Sequence, residues 1–142
     1  MMASRTRTLQ SLIRLRKTEV DEAKSTLAQA LANEEAARQH LESLQASIAA
    51  EQRAASAGQT SMDDFRRWLP TGQQAVTRAA EALHSVKAVS DQARDALMQV
   101  NAALKATESI LEKRVEEEKT TRSRREQAEI DDLTPHVRRN AH

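Results

Sequence analysis

Count along the chain from Leu9 in alternating steps of four and three residues. The positions reached are Leu9, Ile13, Arg16, Val20, Ala23, Leu27, Ala30, Glu34, Ala37, Leu41, Leu44, Ile48, Glu51 and Ala55, and eleven of these fourteen are apolar. The same count from Val76 reaches Ala79, Leu83, Val86, Ser90, Ala93, Leu97, Val100, Leu104, Thr107 and Leu111, and nine of these eleven are apolar. An apolar repeat of 3.5 residues held over this many turns is the seam of a left-handed coiled coil. No strand and no ordinary globular core carries that spacing. Composition agrees, because aromatics are 1% of the chain and charged residues 30%, with only two glycines. A chain so poor in aromatics and rich in strong helix formers reads as long helix rather than globule. A layered seam buries only two or three side chains at each level and needs no thick core.

The two seams are separated by AGQTSMDDFRRWLPTG, Ala57 to Gly72. This stretch holds both glycines, one of the two prolines and the only Phe and Trp. Gly58 accepts a positive φ, which suits the residue just past a helix end. Ser61 reads as an N-cap, with Asp63 and Asp64 in the first turn where negative charge suits the helix dipole. Thr71 with Gln74 offers a second cap just after Pro70. The segment is therefore a turn, and a short connection between long helices favours antiparallel neighbours.

The expected fold is all-α: two long helices forming an antiparallel coiled-coil hairpin, with a charged C-terminal helical overhang, in a single elongated domain over residues 1–142. Helix one covers about 5–56, the turn about 57–61 and helix two about 62–133, followed by a tail over 134–142. Each arm is about 70 Å long at 1.5 Å per residue. Met62, Phe65 and Leu69 continue the second seam backwards. Helix two thus starts near Ser61 and is kinked or briefly broken near Pro70, which lacks an N–H. Facing residues in an antiparallel pair have a constant sum of numbers. A sum near 120 sets Leu9 against Leu111 and Leu41 against Ala79; a sum near 127 sets Ala30 against Leu97 and brings Arg16, Glu34 and Glu51 near opposite charges. The first aligns the two ends of the seams.

After Leu111 the seam fades into EKRVEEEKTTRSRREQAE, six basic and six acidic residues. Here Glu118 with Arg122, Arg122 with Glu126 and Arg125 with Glu129 stand at i,i+4, worth about 0.2–0.5 kcal/mol each. This is a solvated helix that Pro135 ends.

Chemistry-bearing constellations are absent from the pattern. Cysteine is absent, so there is no disulfide framework and no thiolate zinc site. His40 and His84 read as solvated face residues. Gly58 and Gly72 stand alone and make no phosphate loop. A two-helix section has no concavity able to exclude water around a reacting group. The chain reads as a non-enzyme with no cofactor and no metal. A net charge of +1 gives no strong steering toward nucleic acid. The basic start (Arg5, Arg7, Arg14, Arg16 and Lys17) and Arg122–Arg125 could touch phosphates, but neither resembles a groove-reading helix. The start is also Arg- and Ser-rich with no acid before Glu19, a transit-peptide composition, yet its apolar residues keep the phase of the helix that follows. No apolar run approaches a membrane span.

The segment LQSLIRLRKTEVDEAKSTLAQA resembles the start of the FliJ-type proteins of bacterial flagellar export, whose relatives, the YscO group, serve the injectisome. An apolar-basic opening leads into a helix with a short acidic-alanine run, here Val20 to Ala23. The segment ESILEKRVEEEKTTRSRREQAEIDDL is similar to their C-terminal helix, with Glu126, Gln127, Asp131 and Asp132 in the matching places. The central IAAEQRAA is compatible, and the order of basic start, seam, turn, seam and charged end is the best match. Pro70 departs from the continuous second helix of the family.

The resemblance implies a monomeric stalk that sits in the hole of a hexameric export ATPase, promotes its activity, links it to the export gate protein in the membrane and handles export chaperones. It implies a cytoplasmic location, peripheral at the inner face of the cell membrane. Carried over, the end holding both termini enters the ring, through Leu9, Leu12, Ile13, Arg14 and Arg16 with Arg122, Arg125, Glu126, Asp131 and Asp132 opposite. The tip, with Phe65 and Trp68, faces the gate or chaperones. The competing readings are a dimeric coiled-coil scaffold, in which the common phase of the two seams continues through one helix, the injectisome counterpart of the same stalk, and a binder of anionic surfaces.

Overall fold

A computed structural model describes the backbone of residues 2–140 and the side chains of residues 4–134. It contains two helices, α1 (Met2–Ser56) and α2 (Met62–Asn140), packed against each other as an all-α hairpin. Neither glycine nor proline occurs in α1, so nothing in its backbone opposes the helix.

The turn follows from three residues. Gly58 has φ of 77°. The Gln59 amide donates to the Ala54 carbonyl (2.9 Å) and the Gly58 amide to the Ala55 carbonyl (3.2 Å). That pair of bonds is a Schellman closure, which satisfies carbonyls that the helix end leaves open. Two residues later the Ser61 hydroxyl accepts from the Asp64 amide (3.4 Å), and the Ser61 carbonyl takes the first helical bond, from Phe65 (3.0 Å). Arg53 in the last turn of α1 and Asp63 and Asp64 in the first turn of α2 complement the helix dipoles.

The chain divides into two compact units, residues 21–99 and residues 1–20 with 100–142. In the first, every fully covered apolar residue is small: Ala30, Ala55, Ala79 and Ala93. Ser90 has no exposed surface at all. Leu27, Leu41, Leu83 and Leu97 are only half-buried. Two helices alone cannot surround a leucine, whose outer methyls reach sideways into water. A small side chain on the line of closest approach is covered completely. Backbones thus meet where Ala, Ser and Gly sit, and leucines flank those contacts.

Burial at Phe65, Leu69, Gly72, Val76 and Ala79 keeps the four-three rhythm across Pro70. α2 is therefore not broken there. Proline removes one amide donor near the start of a long helix, and the seam on both sides holds the phase. Glu51, expected on the seam, is exposed, and Ala54 and Ala55 take the inner positions, whereas Glu34, also expected there, is buried. Ser56 and Met62 flank the turn, and the cross-helix pair Thr6 and Glu118, whose numbers add to 124, stands between the two registers that the sequence offers.

In the second unit, Val20 and Thr107 are buried, and Leu9, Leu12, Ile13, Arg16, Leu104 and Leu111 are half-buried. The Thr6 hydroxyl donates to the Glu118 carboxylate (3.1 Å), joining α1 to α2. The seam does not end at Leu111: Arg114, Val115, Glu118 and Thr121 are half-buried as well. The aliphatic stems of long polar residues cover apolar surface while their heads stay in water. From Arg122 to Thr134 every residue is exposed, and α2 continues to Asn140, past Pro135, where the sequence suggested a stop. None of the three i,i+4 ion pairs expected there closes to 4.0 Å among the described residues. The described ion pairs are i,i+3: Arg16–Glu19, Arg38–Glu35 and Arg94–Asp91.

Two substitutions test this account by urea unfolding. Gly58→Ala places a Cβ at positive φ and should cost about 1–2 kcal/mol. Ser90→Leu should cost about 1–3 kcal/mol through overpacking, whereas Ser90→Ala should stay within about 0.5 kcal/mol because it loses only a local bond to the Lys87 carbonyl.

Candidate functional site: two candidate contact surfaces

The first surface belongs to the unit that holds both termini. Leu9, Leu12 and Ile13 are half-buried and form part of the seam itself. Arg14 is exposed, and its Nη2 donates to the Ser11 hydroxyl (3.0 Å). Arg16 is held more tightly. Its Nη1 pairs with Glu19 (3.0 Å), and its buried Nε has no partner among the described residues. Arg16 is thus half-buried and paired along its own helix, whereas Arg14 is exposed and without a described ion pair. Leu15, outside the seam, is 54% exposed.

Arg122, Arg125, Glu126, Asp131 and Asp132 all project from the exposed stretch of α2. Asp131 accepts from the Gln127 side chain (3.2 Å). These residues do not lie opposite Leu9–Arg16. Thr6 already reaches Glu118, so the partners of Leu9–Arg16 precede Glu118 in an antiparallel pair. The charged set lies further along α2, with Asp132 some fourteen residues beyond Glu118, or about 20 Å at 1.5 Å per residue. The structure therefore yields two neighbouring patches where the sequence suggested one. Ile130 and Leu133, exposed among these charges, escaped the sequence reading. Their i,i+3 spacing on a helix without a seam was the available signal.

The second surface is the hairpin tip, in the other unit. Phe65 is half-buried and Trp68 is 38% exposed. Their ring centroids are 6.2 Å apart with planes at 40°, within the range of favourable aromatic pairs. The indole of Trp68 lies down along its own helix, over Gly72. A Cβ built on Gly72 would stand 3.0 Å from Trp68 Cη2. This is what a glycine inside a helix achieves here: it clears a bed for an indole four residues earlier. Beside the rings is a concavity of about 500 Å³, walled by Ser47 and Glu51 from α1, Thr60 and Ser61 from the turn, and Asp64, Phe65 and Trp68 from α2.

Among the described residues no group of three or more His, Cys, Asp or Glu side chains is placed to hold a metal. No described helix is long and apolar enough to cross a membrane.

The chain is thus a two-helix hairpin with a basic-apolar start and a charged C-terminal helix. The family model described as "Flagellar FliJ protein" matches residues 5–141. The chain belongs to that family. Comparison with curated proteins found no match, and neither did comparison with solved structures. FliJ membership makes the chain a non-enzymatic component of flagellar type III protein export, and it favours the flagellar over the injectisome reading of the sequence.

The seating of Trp68 on Gly72 is testable, since this FliJ chain has only one Trp. Gly72→Ala gains about 1 kcal/mol of helix propensity but crowds the indole. The net stability change should be under about 1 kcal/mol, while tryptophan emission shifts measurably. Unchanged emission would mean that the ring does not rest there.

Proposed function

We propose that this FliJ-family protein is the stalk of the flagellar export ATPase: the unit holding both termini enters the central hole of the hexameric ring and raises its turnover, and the tip contacts the export gate or export chaperones. The observation that carries the reading is the joint one of family and cross-section. Each unit is built from one segment of α1 and one of α2, so neither is more than two helices across, about 20 Å with side chains. A body of that width fits a pore that excludes a globular domain. It has no chemistry to offer and acts by contact alone.

Within the ring-entering unit, Arg14 and the exposed Arg122 and Arg125 supply positive charge, while Glu126, Asp131 and Asp132 supply negative charge a turn or two away. Leu15, Ile130 and Leu133 add apolar contacts. Leu9, Leu12, Ile13 and Arg16 act indirectly, by holding α1 against α2. In this reading the protein is monomeric, cytoplasmic and peripheral at the inner face of the cell membrane.

The test is steady-state ATP hydrolysis by the cognate export ATPase across a wide range of added protein. Wild type should raise turnover. Arg14→Glu combined with Arg122→Glu and Arg125→Glu should raise the concentration for half-maximal stimulation by about two- to fivefold per charge, with helicity by circular dichroism unchanged. Absence of stimulation by the wild type at any ratio would overturn the proposal; equal potency of the triple variant would remove these arginines from the contact.

A further inference from the structure

Glu51 is the seam position that the structure turns outward, and it forms one wall of the concavity at the tip. Asp64 and Trp68, both on α2, line the same concavity. Neither carboxylate has an ion-pair partner within 4.0 Å among the described residues, although Arg53, Arg66 and Arg67 are near in sequence; none of those three lines the concavity. The turn thus brings two carboxylates without a salt-bridge partner, one from each helix, to a single concavity that an indole also lines.

That combination suits one ligand chemistry. Anions are repelled by both carboxylates. An apolar side chain would desolvate both carboxylates without replacing their hydrogen bonds. A cation meets attraction from each carboxylate and from the ring, whose face is electron-rich. Between the two biological cations, the planar guanidinium stacks on indole and forks toward carboxylates, whereas an ammonium is a compact, strongly hydrated point charge. We propose that the tip concavity is a receptor for an arginine side chain presented by a partner protein, with Trp68 as the stacking platform and Glu51 and Asp64 as the counter-charges. Ser47 and Ser61 border the same space and offer hydroxyl acceptors. The proposal deepens the tip-contact part of the functional reading and rests on the tip being free to meet a partner.

The experiment uses the full chain, ¹⁵N-labelled, so that the single indole N–H gives one resolved cross-peak. The probe is a short capped peptide with one arginine, and its control is the same peptide with citrulline, which keeps the shape and loses the charge. The arginine peptide should shift the indole peak saturably, in about the millimolar range expected of one exposed contact. The citrulline peptide should bind at least fivefold more weakly. Glu51→Gln and Asp64→Asn should each weaken binding by about two- to fivefold. Both side chains are exposed, and circular dichroism checks that each variant folds. Equal shifts with the citrulline peptide, or an undiminished response in the Glu51→Gln/Asp64→Asn double variant, would overturn the proposal. So would concentration-dependent dimerisation abolished by Glu51→Gln, which would assign the site to a second copy of the chain. Because no ATPase is present, failure here leaves the stalk reading standing, and loss of ATPase stimulation leaves this result standing.

Discussion

Close approach of two helices through alanine, serine and glycine is the contact on which the rest depends. Dispersion and apolar burial are strongest where atoms meet without gaps. In a section two helices across, small side chains on the line of contact meet that condition best. Ala30, Ala55, Ala79, Ala93 and the wholly covered Ser90 are those side chains. Leucines beside them gain partial burial on either flank. The scarcity of aromatics follows, since an indole or phenyl ring on that line would hold the backbones apart. The two aromatic residues stand next to the turn, and one of them needs a glycine beneath it.

The turn and the surfaces it creates have a common cause. Gly58 closes α1 in a left-handed conformation and Ser61 opens α2 within three residues. So short a link brings the last turn of one helix beside the first turn of the next, and Glu51 comes to share a concavity with Asp64 and Trp68. A longer or looser loop would leave these residues unrelated. The tip surface is in this sense a by-product of good capping, and the hydrogen bonds that end and begin the helices also position the groups that a partner would touch.

Much of this was legible from spacing alone. The four-three count found the seam on both arms, and the clustering of glycines and aromatics found the turn. Where the count misled, polar character was the reason. Glu51 matched the rhythm, but its carboxylate leaves the contact line and neighbouring alanines replace it. Arg114 and Glu118 broke the apolar pattern after Leu111, yet their stems continue the seam to Thr121. Pro70 and Pro135 carry a strong local signal for a break, which a long helix with a partner on one side, or one already propagating, absorbs. The candidate contacts were less legible than the fold. A residue such as Arg16 is charged and near a terminus, which reads as a contact, but only coordinates reveal that Glu19 holds it. Ile130 and Leu133 were hidden in the reverse way, by the charges around them.

The stretch from Arg122 to Thr134 has no helix beside it and keeps its side chains, Leu133 at 64% among them, in water. A free peptide of this length would be mostly coil, because the first turn of a helix is the costly one to form. Here that first turn never has to form: residues up to Thr121 are already wound against α1, and the extension grows from them one hydrogen bond at a time. The hairpin thereby acts as a template that holds out a helix with all its sides unclaimed, so a protein closing around it meets a shape drawn in advance and loses less entropy on association than it would in ordering a coil.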